Sequence, residues 1–348
     1  MRAVPENDHG GPEVLCVQEM PTPEPGPGQV LIRVRAAGMN RADTLQRRGQ
    51  YPPPSGAPEI YGLEVSGVVE RIGPSPMDDD AARSASHIEA GFPGGQLSVG
   101  QEVVALLAGG GYAEYVCVDA QQILPTPPGL GWVEAAALPE VAATVWLNLF
   151  RIAGLDPEGP GEEAVQLLNT LGYRVFATVG SAEKVRWLQD VVDRQERELT
   201  RAGRRAGGVV VIDYRSEGFA EVVRERTEGR GVRAVLDSVG GAYLEQHVKC
   251  LAMGGHLVTI GVQGGPKGEL NLARLMQKRA SITGSTLRGL DAEVKQSVLR
   301  HMSQTVWPLV TAGLVDPMVD RVFPLEQVRQ AHEHFDSRNH RGKVVLTM

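Results

Sequence analysis

The residues best placed to do chemistry follow an apolar run at residues 173–179: Gly180, Ser181 and, one turn on, Lys184. Such a nearly continuous apolar run is typical of a strand buried on both faces of a parallel sheet. Ahead of it, Ala164, Leu167, Leu168 and Leu171 recur at i, i+3, i+4 and i+7, one face of an amphipathic helix, with Gly172 at its C-terminal cap. Ser181 is placed to cap the next helix. In a dinucleotide-binding sheet the end of such a strand selects the cofactor, because a carboxylate there accepts hydrogen bonds from the ribose 2′-OH. A hydroxyl, a helix N-terminus and an ammonium suit a 2′-phosphate instead and favour NADP(H). A capped surface helix is the plainer alternative.

The elements that must position these groups are legible in outline. The chain has 348 residues, room for about two domains. Its net charge of −7 disfavours nucleic acid as the main partner, since phosphate binding needs a basic footprint. Three scattered cysteines, Cys16, Cys117 and Cys250, are too few for a disulfide framework and point to a reducing, cytoplasmic setting. No apolar stretch reads as transmembrane and no signal-peptide core opens the chain, so no membrane partner is expected.

Residues 1–125 read as short strands between Pro/Gly punctuation: Val30, Ile32 and Val34 alternate with Leu31, Arg33 and Arg35, and strand-like runs return at 64–72, 102–107 and 112–118. Asn40 is a plausible cap for a short helix through Arg48, and residues 74–95 read as a polar surface insertion. Two helices at 132–139 and 141–154 lead into βα alternation, with strands at 207–214, 232–239 and 256–260. The charged helix beginning at Glu183 mixes acids and bases, the pattern of a solvated face. Gly240, Gly241, Gly261, Gly264 and Gly265 follow strand ends, where ligands bind in doubly wound sheets. A long helix at 291–313 carries Pro308, and strand, helix and strand close the chain.

The segments GPEVL (11–15), AAGMNRADTLQRRGQYPPP (36–54), GLEVSGVVERIG (62–73), LLAGGGYAEYV (106–116), TVGSAEK (178–184), GSTLR (284–288) and GKVVL (342–346) resemble the medium-chain dehydrogenase/reductase superfamily, and within it the zinc-free quinone oxidoreductase branch. The resemblance implies an α/β chain: a GroES-like β-barrel domain at 1–125 and 286–348 and a Rossmann doubly wound parallel sheet at 126–285, with the active site in the cleft between. It implies a homodimer or homotetramer that passes hydride from NADP(H) to a small-molecule quinone or enone. Carried over by position, Asn40 and Tyr51 border the nicotinamide and substrate as catalytic residues, and Thr144 approaches the cofactor. Ser181, Lys184 and Tyr214 hold the 2′-phosphate region, and Gly180 is a cofactor-binding residue beside them. Gly240, Gly261, Val262, Thr286, Leu287 and Lys343 line the rest of the cofactor track.

Two departures matter. Catalytic zinc needs about three protein ligands, yet Met39 and Leu63-Glu64 stand where zinc-dependent relatives carry Cys and His-Glu, and no Cys cluster exists. No metal is therefore expected. Relatives also place a strand and a GGxSGVG turn before the helix that here begins at Glu162. Here DPEGPG runs straight into EEAVQLL, so roughly a dozen residues, the first strand and its phosphate turn, are absent. The GPG at 159–161 is no substitute, because Glu162 and Glu163 repel a diphosphate. A rescue in which residues 173–179 act as the first strand is conceivable. Two rival functions stay open: an enoyl or alkenal reductase, and a non-catalytic family member.

Overall fold

The alternation around Val30 becomes a ten-residue strand in the computed structural model, which describes residues 1–74, 87–90, 95–156 and 165–348. The early strands are β1 (Arg2–Ala3), β2 (Gln18–Glu19), β3 (Gln29–Gly38), β4 (Glu64–Ile72), β5 (His87–Glu89), β6 (Gln96–Ser98), β7 (Glu102–Leu106), β8 (Tyr115–Asp119) and β9 (Ile123–Pro125), with α1 (Arg41–Arg47) between β3 and β4. Helices α2 (Trp132–Ala135) and α3 (Pro139–Val145) follow, and the backbone continues as a π-helix over Trp146–Ile152. Next come α4 (Val165–Thr170), β10 (Val175–Val179), α5 (Ala182–Arg201), β11 (Val209–Asp213), α6 (Phe219–Arg226), β12 (Val232–Asp237), α7 (Leu244–Cys250), β13 (Leu251–Thr259), α8 (Leu272–Lys278) and β14 (Ser281–Gly284). The chain ends with α9 (Ala292–Thr311), β15 (Val319–Pro324), α10 (Val328–Asp336) and β16 (Lys343–Thr347). Two compact units result. Met1–Ala143, Leu287–Thr311 and Pro317–Met348 form the first; Thr144–Thr286 and Ala312–Asp316 form the second.

In the first unit β3 serves three partners. It pairs antiparallel with β4, its first half also pairs with β8, and Ala36–Gly38 pair with Val345–Thr347 of β16. A register shift between Val34 and Ala36 bends the strand so that one backbone can do this. Inward side chains such as Val30, Ile32, Val65, Val103 and Val344 fill a single core. The turn at the end of β3 brings Asn40 and α1 to the start of β4.

In the second unit every strand pair is parallel, and helices link most successive strands. The sheet comes in two pieces, β10–β11 and β12–β13–β14, and among the described residues no strand joins them. One helix covers both pieces: Phe219, Ala220 and Val223 of α6 share a cluster with Phe176 of β10, Ile212 of β11 and Val232 of β12. The expected loss of the first strand accounts for this break. The rescue in which residues 173–179 replace that strand requires pairing of β10 with β12, which the described residues lack. The GPG and Glu162-Glu163 positions, Ala164 and most of the 74–95 insertion lie outside the described residues.

Two expectations need correction. The run at 173–179 is not buried on both faces: Val175 and Ala177 are buried while Thr178 is exposed, because β10 has a partner on one edge only among the described residues. One stretch, Trp132–Ile152, is long and apolar enough to cross a membrane, though 67% of its window is buried, as in the core helix of a globular unit.

The break makes a testable statement. Val175 N donates to Gly208 O and Val179 O accepts from Tyr214 N, so the alternate residues Phe176 and Thr178 face away from β11. Likewise Asp237 O accepts from Ile260 N on the β13 side, which turns Leu236 the other way. The amides of Phe176, Thr178 and Leu236 are expected to exchange with deuterium at least about tenfold faster than those of Val175, Ala177 and Val235. Equal protection would mean that the junction is closed.

Candidate functional site

Asn40 occupies the N-cap position of α1 with extended backbone, φ −130° and ψ 157°. Capping runs backward here: Asp43 Oδ2 accepts from Asn40 N at 2.7 Å. The Asn40 amide is thereby released for other work. Its Nδ2 donates to Glu64 Oε1 at 2.9 Å, and its Oδ1 accepts from Lys343 Nζ at 2.6 Å. Lys343 also donates to Glu64 Oε1, and Glu64 Oε2 accepts from Glu140 N at 2.9 Å. Gly38 is required beside this cluster, because a Cβ there would lie 2.4 Å from Glu64 Oε1 and 2.6 Å from Ala136 O. A fully buried carboxylate thus joins the starts of α1, β4 and β16.

Asp43 is also fully buried. Tyr112 Oη donates to its Oδ2 at 3.1 Å. Burial pushes the Asp43 carboxyl up to about 6, against the hydrogen bonds from Asn40 and Tyr112, which favour its charged form. Behind it, His332 is fully enclosed, with Nδ1 3.0 Å from Arg47 Nη1; burial holds its pKa down to about 3.

Tyr51 is half-buried, and the Arg288 guanidinium lies 5.6 Å from its ring centroid. Burial raises the Tyr51 hydroxyl above the ordinary phenol value, so it stays protonated at neutral pH and can donate. The structure joins Asn40 with Lys343, whereas Tyr51 is engaged by Arg288. Sequence reasoning missed Glu64, Asp43 and Arg288 as members of the site. The Asn40-x-x-Asp43 spacing was the available signal for one of them; the burial of the other two had none.

In the second unit, Ser181 caps α5, its Oγ accepting from Lys184 N at 3.2 Å, which leaves the hydroxyl proton to donate. Gly180 lies against Tyr214: a Cβ at 180 would fall 2.5 Å from Tyr214 Oη. Gly180, Ser181, Lys184 and Tyr214 therefore gather at the C-terminal ends of β10 and β11. The Ser181 and Tyr214 hydroxyls lie there and Lys184 follows one turn on, residue types that suit a phosphate monoester. The loops after β12 and β13 clasp each other. Gly240 has φ +78°, and a Cβ there would meet Val262 Cα at 3.1 Å and Gly261 O at 3.2 Å. Asp237 Oδ1 accepts from Val239 N and Gly240 N, and Gly264 N donates to Val239 O. These glycines thus have a packing reason of their own. Val262 and Thr286 are exposed, Leu287 is buried in the first unit, and Thr144 O accepts from Asn148 Nδ2 at 2.7 Å.

Among the described residues no group of three or more His, Cys, Asp or Glu is arranged to hold a metal. Met39 and Leu63 are buried apolar side chains, and Glu64 is spent on Lys343 and Asn40.

A β-domain built from both chain ends, with a parallel α/β unit between, is the architecture of the medium-chain dehydrogenases and reductases. The family described as "Alcohol dehydrogenase GroES-like domain" matches residues 26–128, and that described as "Zinc-binding dehydrogenase" matches 207–346. Quinone oxidoreductase 1 of Escherichia coli is 30% identical, and quinone oxidoreductase of Salmonella typhimurium 31%, each over 97% of both chains. The crystal structure of the Escherichia coli quinone oxidoreductase complexed with NADPH superposes with a TM-score of 0.77 at 27% identity over the whole of both chains. An NAD-dependent alcohol dehydrogenase gives 0.78 at 29%, again over both whole chains. The chain belongs to the zinc-free quinone oxidoreductase branch of that superfamily, a family of oxidoreductases.

Two stability predictions follow from the buried carboxylates. Replacing Lys343 by Met strands Glu64 and is expected to cost about 3–5 kcal/mol in urea unfolding, with most of it restored in the double variant E64Q/K343M; a K343M loss under about 1 kcal/mol would show that the pair carries little. For Asp43 the folded value, about 6, exceeds the unfolded 3.8. Its contribution is present below 3.8 and lost as pH rises through about 6. His332, held down from 6.5, acts in the opposite sense: its contribution is lost as pH falls toward 3. Subtracting the profile of D43N isolates Asp43. The parent is expected to lose about 3 kcal/mol relative to D43N between about pH 4 and 7. A flat difference would show that Asp43 titrates normally.

Proposed function

We propose that the chain is an NADPH-dependent oxidoreductase that reduces quinones and related enones. The gathering of Ser181, Lys184 and Tyr214 at the ends of β10 and β11 carries this reading. Together they hold the 2′-phosphate and discriminate against NADH, while Thr144, Gly180, Gly240, Gly261, Val262, Thr286, Leu287 and Lys343 border the rest of the cofactor. Bound NADPH supplies hydride. Tyr51 donates the proton that the reduced acceptor oxygen needs, its hydroxyl kept protonated by burial. Asn40 acts as a fixed polar wall, since Glu64 and Lys343 orient its amide. The same reading carries association into a homodimer or homotetramer and a cytoplasmic location. Reduction of a conjugated C=C by the same groups is the second enzymatic option, and a panel of quinones against enals separates the two.

The divided sheet favours a different reading, a family member that no longer binds cofactor. NADPH fluorescence titration decides between them. Saturable binding is expected, with K184A or Y214F weakening NADPH by about tenfold or more and leaving NADH nearly unchanged. No binding, with no NADPH-induced rise in melting temperature, would leave the non-catalytic reading standing.

A further inference from the structure

Two cations are buried side by side in the first unit with no ion pair among the described residues. Arg288 and Lys295 are 5% and 6% exposed. Among the described residues, every hydrogen bond they donate goes to a backbone carbonyl. Arg288 Nε donates to Ala108 O at 2.7 Å, its Nη1 reaches Tyr51 O at 3.5 Å, and Lys295 Nζ donates to Arg288 O at 2.7 Å. Arg288 Nη2 is buried and has no hydrogen-bond partner among the described residues. Asp43 is the carboxylate that acts most strongly on Arg288 through space. Its oxygens, however, are taken by Asn40 N, Gly62 N and Tyr112 Oη. Burial, and then Arg288, hold the Lys295 ammonium below its ordinary value.

Buried charges are ordinarily paired, because leaving an ion unpaired out of water is costly. A guanidinium with two unused N–H groups, backed by a second cation and lying over the Tyr51 ring, is a receptor for an anionic oxygen. We propose that Arg288, supported by Lys295, is the specificity-determining group of the acceptor site and selects quinones that carry an anionic oxygen substituent such as a sulfonate or carboxylate. This rests on the quinone-reductase reading above and narrows its substrate class. Tyr51 supplies the aromatic surface beside which such a ring lies, and the anionic substituent replaces the partner that Nη2 lacks.

The test compares 1,2-naphthoquinone-4-sulfonate with uncharged 1,2-naphthoquinone. The parent enzyme is expected to favour the sulfonate in kcat/KM by about tenfold or more. Arg288→Met removes that preference, read as the ratio of kcat/KM for the two quinones so that any general loss cancels, and Arg288→Lys retains part of it. A parent enzyme without preference, or a folded R288M that keeps it, overturns the proposal while leaving quinone reduction intact. If neither quinone is reduced, the functional reading fails first, and equilibrium binding of the sulfonate, followed by quenching of tryptophan fluorescence, judges Arg288 alone: tighter binding to the parent than to R288M supports it, and equal binding refutes it. Should R288M not fold, K295M replaces it and is expected to weaken the preference in the same direction; an unchanged preference in K295M overturns the proposal.

Discussion

A carboxylate with no exposed surface has to be met by donors on every side, and in the first unit Glu64 imposes that demand. Lys343 and Asn40 answer it on one oxygen, and the Glu140 amide answers it on the other. These groups lie far apart in sequence, so the Lys343–Glu64 pair can form only when β16 from the C-terminal segment is docked on the end of β3, beyond which its first residue reaches the start of β4. The same demand empties position 38 of any side chain and turns the Asn40 amide inward. A buried pair of this kind adds little net stability compared with well-packed apolar residues. Its effect is one of position: α1 can start in one place only.

The second unit shows the opposite case, a constraint that the described residues leave unmet. Parallel strands are normally paired on both sides inside an α/β sheet, because unpaired backbone groups have no solvent to turn to. Here β10 and β12 each have one partner. What spans the break is side-chain packing by α6, while a polar hub beneath α5 ties α4 and α5 to the β10–β11 piece. Gln195 Oε1 accepts from Asn169 Nδ2, and Gln195 Nε2 donates to Leu314 O; Asn169 Oδ1 in turn accepts from Gly208 N. Such contacts hold helices to strands but do not supply ladder hydrogen bonds. The weakest joint therefore sits beside the loops meant to hold the cofactor.

Much of this was legible in the residues. The period-2 alternation around Val30 and the apolar run before Gly180 identified their strands, and Ser181 caps α5 as its side chain demands. The absent strand could be read from flanking motifs that stay in register on both sides of an excision. What could not be read is which charges end up inside. Glu64, Asp43, Arg288 and Lys295 look like any charged residues in a chain where such residues are common, and only the closing of β4, β16 and α9 around them makes them unusual. Propensity and spacing report local structure, while burial is set by partners hundreds of positions away.

The buried charges of the first unit differ in kind, and that difference separates structure from chemistry. Glu64 meets donors on both oxygens, Asn40 and Lys343 on one and the Glu140 amide on the other, and so holds Asn40 still. Asp43 is likewise surrounded by N–H and O–H groups, with its ionised form disfavoured by burial. Arg288 and Lys295 donate to carbonyl oxygens, which satisfy hydrogen-bond geometry without neutralising charge, and the Asp43 carboxylate acts on Arg288 only through space. The carboxylates are therefore complete and the cations are not. The unpartnered Nη2 of Arg288 marks where a second molecule is to bring the missing charge.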